Sequence, residues 1–439
     1  MAGRTSVRGQ DAPNDGERSA LAHRFAVIRK RSEQLARHLT PEDMVLQAMP
    51  DASPVRWHLA HTTWFFEEFI LGPFSENYEA HHPQYRYLFN SYYEAVGERW
   101  PRMNRGLLSR PSPAEILLYR EDITERVLRL IHSISDDCWA EMAELLTVGC
   151  HHEEQHQELL CTDIKAAFGL NPIFPEAFPL GEHGWREDGE TVAAANERWI
   201  AYEGGLTEIG AHEQGFAFDN ETPRHRVWLE DYELHGTPVT AGQFLDFMDD
   251  GGYRNPSLWL SDGWDWLQSE GVDCPLYWHF IDGDWFEFTL HGLVPLRRDR
   301  ILTHISAYEA FAFASWAQAR LPYEAELERA LVGEDPNDAQ WLDPDGIIHP
   351  RLAGRDQRLG SAYGSVWDWT QSAYSAYPGY RPMEGALGEY NGKFMSSQLV
   401  LKGGSCATPP GHIRASYRNF FPPHARWQFT GIRLARGTD

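Results

Sequence analysis

The sequence predicts an α+β protein of two domains, a helical bundle over residues 21–172 and an irregular mixed domain over 199–436. Two observations carry that division. Helix-start signals and helical apolar spacing recur through roughly the first 170 residues. Near Pro172 the texture then changes to a chain crowded with Gly, Pro and Trp. The length agrees, since 439 residues exceed one ordinary domain.

Taken in order, residues 1–20 lack the apolar core of a signal peptide and read as a disordered tail. Thr40-Pro41 and Ser53-Pro54 each put an N-cap residue before a proline suited to the first helical position. Ser112-Pro113 does the same, and Ile116, Ile123, Val127 and Leu130 then recur at helical spacing. A further helix runs through HHEEQHQELLCTDIKAAF and stops at Gly169, before Asn171-Pro172. Several amphipathic helices in succession predict an up-and-down bundle. Segment 173–198 reads as a linker, and beyond it helical periodicity is confined to stretches such as 240–249 and 306–320. Short strands in a loop-dominated domain are expected there.

Composition narrows function. Lys and Arg total 39 against 64 Asp and Glu, a formal charge of −25, which argues against nucleic acid and anionic membranes as partners. Five scattered cysteines, without a CxxC, point away from a disulfide framework or a structural zinc site and towards a reducing cytoplasm. No apolar run is long enough to span a bilayer.

The strongest local signal is His152-Glu-Glu-Gln155-His156-Gln-Glu158. Residues four apart lie about 40° apart around a helix, so His152 and His156 can clasp one metal. Glu158 points further round, towards a pocket rim. A solvated polar helix surface explains an isolated pair equally well. His61 strengthens the metal reading: Trp57, Trp64 and Phe65 make its face apolar, and bundle metal sites draw ligands from facing helices. A hydrogen-bonded core histidine is the plain alternative for His61, and His58 is a weaker ligand candidate. The same stretch satisfies H-E-x-x-H, the zinc-peptidase signature, with Glu153 as general base. The metzincin continuation is absent, because Gln157-Glu158-Leu159-Leu160 follows. Three neutral imidazoles leave about half of an octahedral ion's positions open, and zinc would accept the same set.

LAH ending at His61, together with HEEQHQE, resembles the DinB-like four-helix bundle of the ergothioneine-biosynthesis sulfoxide synthases, or hercynine oxygenases. PVTAGQFLDFMDDGGY (238–253), the 304–330 stretch, GSVWDWT (364–370), LKGGSCAT (401–408) and FTGIRLA (429–435) resemble the formylglycine-generating-enzyme, or sulfatase-modifying-factor, fold, which is C-type-lectin-like. The resemblance implies iron(II), Fe(II), on His61, His152 and His156. It also implies dioxygen-dependent joining of a cysteine-type sulfur to the imidazole of Nα-trimethylhistidine (hercynine), with oxidation to the sulfoxide. By motif position Gln155 contacts the hercynine imidazole. Asn419 and Phe420 fall where the family meets the trimethylammonium end, for which an aromatic face is a natural partner, and the adjacent Phe421 is a further substrate-binding candidate. Phe420-Phe421 replaces the Trp-Asp pair of enzymes using γ-glutamylcysteine, and LFNSYYEAVG (88–97) resembles the subgroup taking free cysteine. That subgroup implies Tyr92 and Tyr93 as phenols beside the iron, with Tyr374, Tyr377 and Tyr380 as alternatives. Arg102 and Arg105 are the expected clamp for the cysteine carboxylate.

The sequence also bears on other functions. Formylglycine-generating enzymes use a cysteine pair near their C-terminus, whereas no cysteine follows Cys406 here. Ovothiol-pathway relatives carry an added methyltransferase domain, for which the chain to Asp439 leaves no room. A non-catalytic lectin-like module would not need the three histidines.

Overall fold

The computed structural model describes residues 15–180, 198–353 and 358–438. Six helices precede Leu170: α1 Asp15–Ala36, α2 Val55–Phe66, α3 Gly72–Phe74, α4 Tyr85–Phe89, α5 Pro113–Ser133 and α6 Asp136–Gly169. The four long ones form the bundle, with α2 and α1 each packed against both α5 and α6. Helix α5 starts where its sequence dictates. Ser112 and Glu115 form a reciprocal capping box around Pro113. Its stripe of Ile116, Ile123, Val127 and Leu130 is buried as the spacing predicts.

Three start signals resolve differently. The predicted tail is too long, because α1 already begins at Asp15. Arg18 fixes that first turn, bonding the Ile131 carbonyl and the Asp136 carboxylate, each at 2.8 Å. Its guanidinium also lies over Trp139 at 4.5 Å. Residues 1–14 lie outside the described residues. Thr40-Pro41 opens only a 3₁₀ turn, Asp43–Val45, although Thr40 and Asp43 cap each other. Pro50 and Pro54 follow too closely for a helix to propagate. At Ser53-Pro54 the proline itself occupies the N-cap of α2, and the Ser53 N–H donates instead to Asp163 on α6 at 2.7 Å.

Of the segment read as a linker, residues 181–197 lie outside the described residues. The C-terminal part carries α7 Ala241–Asp249, α8 Ser261–Glu270, α9 Ala307–Trp316 and α10 Glu324–Leu331. Its strands are β1 Trp199–Tyr202, β2 Gly205–Ile209, β3 His225–Leu229, β4 Tyr232–His235, β5 Trp278–Ile281 and β6 Asp284–Thr289. They continue as β7 Gly292–Pro295, β8 Trp367–Ala373, β9 Leu399–Lys402, β10 Asn419–Phe421, β11 Thr430–Gly431 and β12 Ala435–Gly437. These make small sheets in the orders β1-β4-β12, β10-β9-β8-β11 and β5-β6-β7, plus the β2-β3 hairpin. The GSVWDWT stretch leads into central strand β8. Gly364 has φ +75°, and a Cβ there would run into the Gln340 carbonyl, so glycine is required. Asp368 and Arg433 pair at 2.9 Å inside the domain, which gives two family-like motifs a structural role.

Glu158 does not reach a pocket rim. It joins the two parts, accepting from Trp367 Nε1 at 2.7 Å, Ser405 Oγ at 2.5 Å and Thr408 Oγ1 at 2.7 Å. Among the described residues no helix is long and apolar enough to cross a membrane. The five cysteines are unpaired thiols.

Candidate metal centre

Helix α2 delivers His61, and α6 delivers His152 and His156 from successive turns of one face. One ring nitrogen from each lies within 4.8 Å of the others. Trp57 and Trp64, one turn either side, stack on the His61 ring at 4.5 and 5.4 Å and fix its plane. His61 Nδ1 donates to the Phe89 carbonyl at 2.6 Å, so its Nε2 carries the lone pair. That Nε2 faces His152 Nε2 at 3.2 Å. Two ligands held about 2.0–2.1 Å from one ion lie about 3.0–3.4 Å apart, so the spacing fits a shared metal. His152 Nδ1 is buried without a partner among the described residues. Burial, reinforced by the neighbouring histidines and Arg105, pushes His61 and His156 well below the usual histidine range. Burial likewise takes His152 down to about 3, although Glu153 opposes the shift. The three imidazoles are therefore neutral at physiological pH, the state in which imidazole ligates.

Glu153 cannot be a peptidase base. It points away from His152 into the bundle, pairing with Arg29 at 3.0 Å and Arg120 at 2.8 Å and accepting from Ser32 at 2.6 Å. His58, the spare ligand candidate, is not in the close three-histidine group and instead meets His156 at 2.8 Å between Nδ1 atoms.

His152 and His156 line a cavity of about 810 Å³ between the bundle and the C-terminal domain. Tyr92, Arg102, Arg105, Gln155, Asn419 and Phe420 share its wall. Phe421 does not line it, and its ring packs near Trp427 at 6.3 Å. Tyr93 is fully buried behind Tyr92, their rings stacked at 4.7 Å. Tyr374, Tyr377 and Tyr380 are committed elsewhere, to Asn220, Glu324 and Asp219. Arg102 lies exposed at the mouth, bonded to the Asp51 carbonyl. Arg105 is the interior cation. It is 4% exposed, lies over the Trp57 ring at 3.3 Å and donates to Ser53 Oγ at 2.9 Å. Its Nε is buried without a hydrogen-bond partner among the described residues, and Asp163 acts on it electrostatically without an ion pair.

Sequence reasoning missed two tyrosines of the C-terminal domain that fix Gln155. The Tyr390 hydroxyl donates to Gln155 Oε1, and Gln155 Nε2 donates to the Tyr417 hydroxyl at 2.6 Å. The Tyr390 ring also lies 5.7 Å from that of His152. Asn220 lines the same cavity and keeps a buried, unpartnered Oδ1. Only the three-dimensional fold reveals these residues, since none lies in a motif with a spacing of its own.

A second group of ligand-type residues, His151, Glu154 and His412, lies beside Gln155. Its protons are already allotted. Arg24 faces His151 Nε2 at 3.0 Å, so His151 Nδ1 donates to Glu154 at 3.0 Å. The Tyr417 hydroxyl, accepting from Gln155, donates to His412 Nε2 at 3.2 Å, and His412 Nδ1 then reaches Glu154 at 3.3 Å. This network braces Gln155 through Tyr417.

A bundle presenting three histidines beneath an irregular β-rich cap defines a two-part protein with a candidate metal site. The chain belongs to the family of the Sulfatase-modifying factor enzyme 1-like domain, whose model matches residues 187–350 and 358–438. The DinB superfamily model matches residues 24–160. Among relatives, the hercynine oxygenase of Mycolicibacterium smegmatis is 29% identical over 95% of this chain and 99% of its own length. That of Mycobacterium tuberculosis is 28% identical over 94% of this chain and 98% of its own. Ergothioneine biosynthesis protein 1 of Schizosaccharomyces pombe is 26% identical over 52% of this chain and 29% of its own length.

Proposed function

We propose that the protein is an iron(II)- and dioxygen-dependent hercynine oxygenase that takes free cysteine as its thiol. The observation that carries this reading is one cavity that two members of the three-histidine group, His152 and His156, share with the buried Arg105 guanidinium. The full-length similarity to hercynine oxygenases supports the oxidoreductase class and the ergothioneine-related substrate. The reaction closes without an external reductant. The S–H bond of cysteine and the C–H bond between the imidazole nitrogens break, and a C–S and an S–O bond form. Dioxygen takes four electrons from the two substrates, leaving one oxygen on sulfur and one in water.

His61, His152 and His156 would hold the metal, which when bound supplies activation of dioxygen and a seat for the sulfur. The remaining work falls to this chain's own groups. Arg105 accepts the cysteine carboxylate, its plane preset by Trp57. Gln155, its amide fixed by Tyr390 and Tyr417, presents its remaining hydrogen-bonding capacity to the hercynine imidazole. Phe420, stacked on Tyr374 at 4.0 Å, offers a ring face to the trimethylammonium group. Tyr92 holds a proton at its phenol oxygen beside the reacting centre, where burial keeps the phenol well above its usual range.

Arg105 fits the carboxylate that cysteine and γ-glutamylcysteine share, so the preference for cysteine rests on the resemblance of residues 88–97 to the cysteine-using subgroup. The loss of an aspartate at position 421 does not carry it, because that side chain does not line the cavity. The test is a steady-state comparison of the two thiols with hercynine. A higher kcat/KM for cysteine is expected, and a higher value for γ-glutamylcysteine overturns the thiol assignment.

A further inference from the structure

Two nearly buried groups at the wall of the same cavity, His58 and Asp163, have no part in the chemistry above. His58 lies one turn before His61, and Asp163 lies two turns beyond His156 on α6. His58 Nδ1 is 2.8 Å from His156 Nδ1, and His58 Nε2 is 2.9 Å from Asp163 Oδ2. Asp163 is anchored in turn by the Ser53 N–H at 2.7 Å. Both His58 and Asp163 are almost wholly buried, at 3% and 5% exposure.

The donor order along this line is fixed. A carboxylate only accepts, so His58 carries its proton at Nε2. A neutral His58 then offers a lone pair at Nδ1, and His156 must donate from its own Nδ1. His156 Nε2 is thereby left bare. We propose that Asp163 and His58 are positioning residues. In series they hold His156 in the Nδ1–H tautomer and so set the affinity of the three-histidine site for a divalent metal. This rests on the reading that His61, His152 and His156 are the ligands.

The three ligands are supported unequally. A backbone carbonyl fixes His61, the Asp163–His58 line fixes His156, and nothing described fixes His152 Nδ1. The carboxylate also makes His156 a stronger electron donor, a contribution that a backbone carbonyl gives less fully.

The test uses the full chain freed of metal and titrated anaerobically with cobalt(II). Binding is followed by visible ligand-field absorption and by chelator competition, without substrate. Wild type should bind one equivalent, and His61→Ala should lose tight binding. His58→Phe should weaken binding roughly ten- to a hundred-fold, with one equivalent still bound at saturation. Asp163→Asn, which keeps the size and an accepting oxygen, should weaken it by less and alter the cobalt spectrum. Circular dichroism of each metal-free variant establishes its fold, and Asp163→Asn carries the test if His58→Phe unfolds. Wild-type affinity and spectrum in the folded variants overturn the relay. Tight binding by His61→Ala would instead overturn the ligand assignment, a distinguishable result.

Discussion

Arg105 and Tyr92 show how much of the chemistry depends on what a side chain lacks. A buried guanidinium with Asp163 nearby but no carboxylate at ion-pair distance among the described residues loses solvation that an incoming anion can restore. Arg105→Leu should therefore raise the cysteine KM about ten- to a hundred-fold, corresponding to roughly 1.5–3 kcal/mol. Arg102→Leu, at the exposed mouth, should raise it much less. Equal KM values for Arg105→Leu and wild type would remove the carboxylate clamp. Tyr92→Phe should leave metal binding unchanged but slow sulfoxide formation, diverting oxidation to the sulfinic acid of the thiol. Tyr93→Phe, whose hydroxyl lies behind Tyr92, should shift that product ratio less. Product analysis by mass checks both, and an unchanged ratio in Tyr92→Phe would transfer the donor role to Tyr390. The histidines, Gln155 and Asn419 were legible because spacing or motif position marks them. Tyr390, Tyr417 and Asn220 were not, because each reaches the cavity from a loop or turn without periodicity.

Helix α6 illustrates how one element divides its faces among separate tasks. His152 and His156 face the proposed metal site, Glu154 and Glu158 face the C-terminal domain, and Glu153 faces the bundle core. The sequence motif alone suggested catalysis for Glu153, and only its two buried arginines reveal the structural role. Burial by itself would raise the Glu153 carboxyl, but Arg29, Arg120 and the Ser32 hydroxyl outweigh it and bring it down to about 2. A carboxyl depressed on folding stabilises the native state above its unfolded value of about 4.3. That contribution, about 3 kcal/mol, fades as pH falls from there towards 2. Glu153→Gln should flatten the acid limb of a stability–pH profile. It should also cost about 3–5 kcal/mol at neutral pH, because Arg29 and Arg120 are left uncompensated. Urea unfolding between pH 3 and 7 measures both. Helix α5 was readable from its capping box and stripe. The Thr40-Pro41 turn was misread because local capping does not register the prolines that follow.

At the scale of the whole molecule, neither part builds the cavity alone. The bundle supplies the histidines and Arg105, while the C-terminal domain supplies Tyr390, Tyr417, Asn419 and Phe420. Glu158 ties them together, with three donors converging on one carboxylate. Glu158→Ala should lower stability by about 2–3 kcal/mol and loosen the braced Gln155, raising the hercynine KM ahead of any loss of metal. Metal content, thermal unfolding and substrate kinetics of that variant separate the effects. The two-part architecture was visible in the change of texture near Pro172. The junction was not, because it joins residues more than 200 positions apart, such as Glu158 with Trp367. The most direct measurement of the central claim is anaerobic reconstitution with iron(II) followed by aerobic incubation with hercynine and cysteine. The products are identified by mass. The account predicts hercynyl-cysteine sulfoxide, formed only with iron, dioxygen and both substrates present. Absence of a hercynine–cysteine adduct from protein carrying a full equivalent of iron would contradict it.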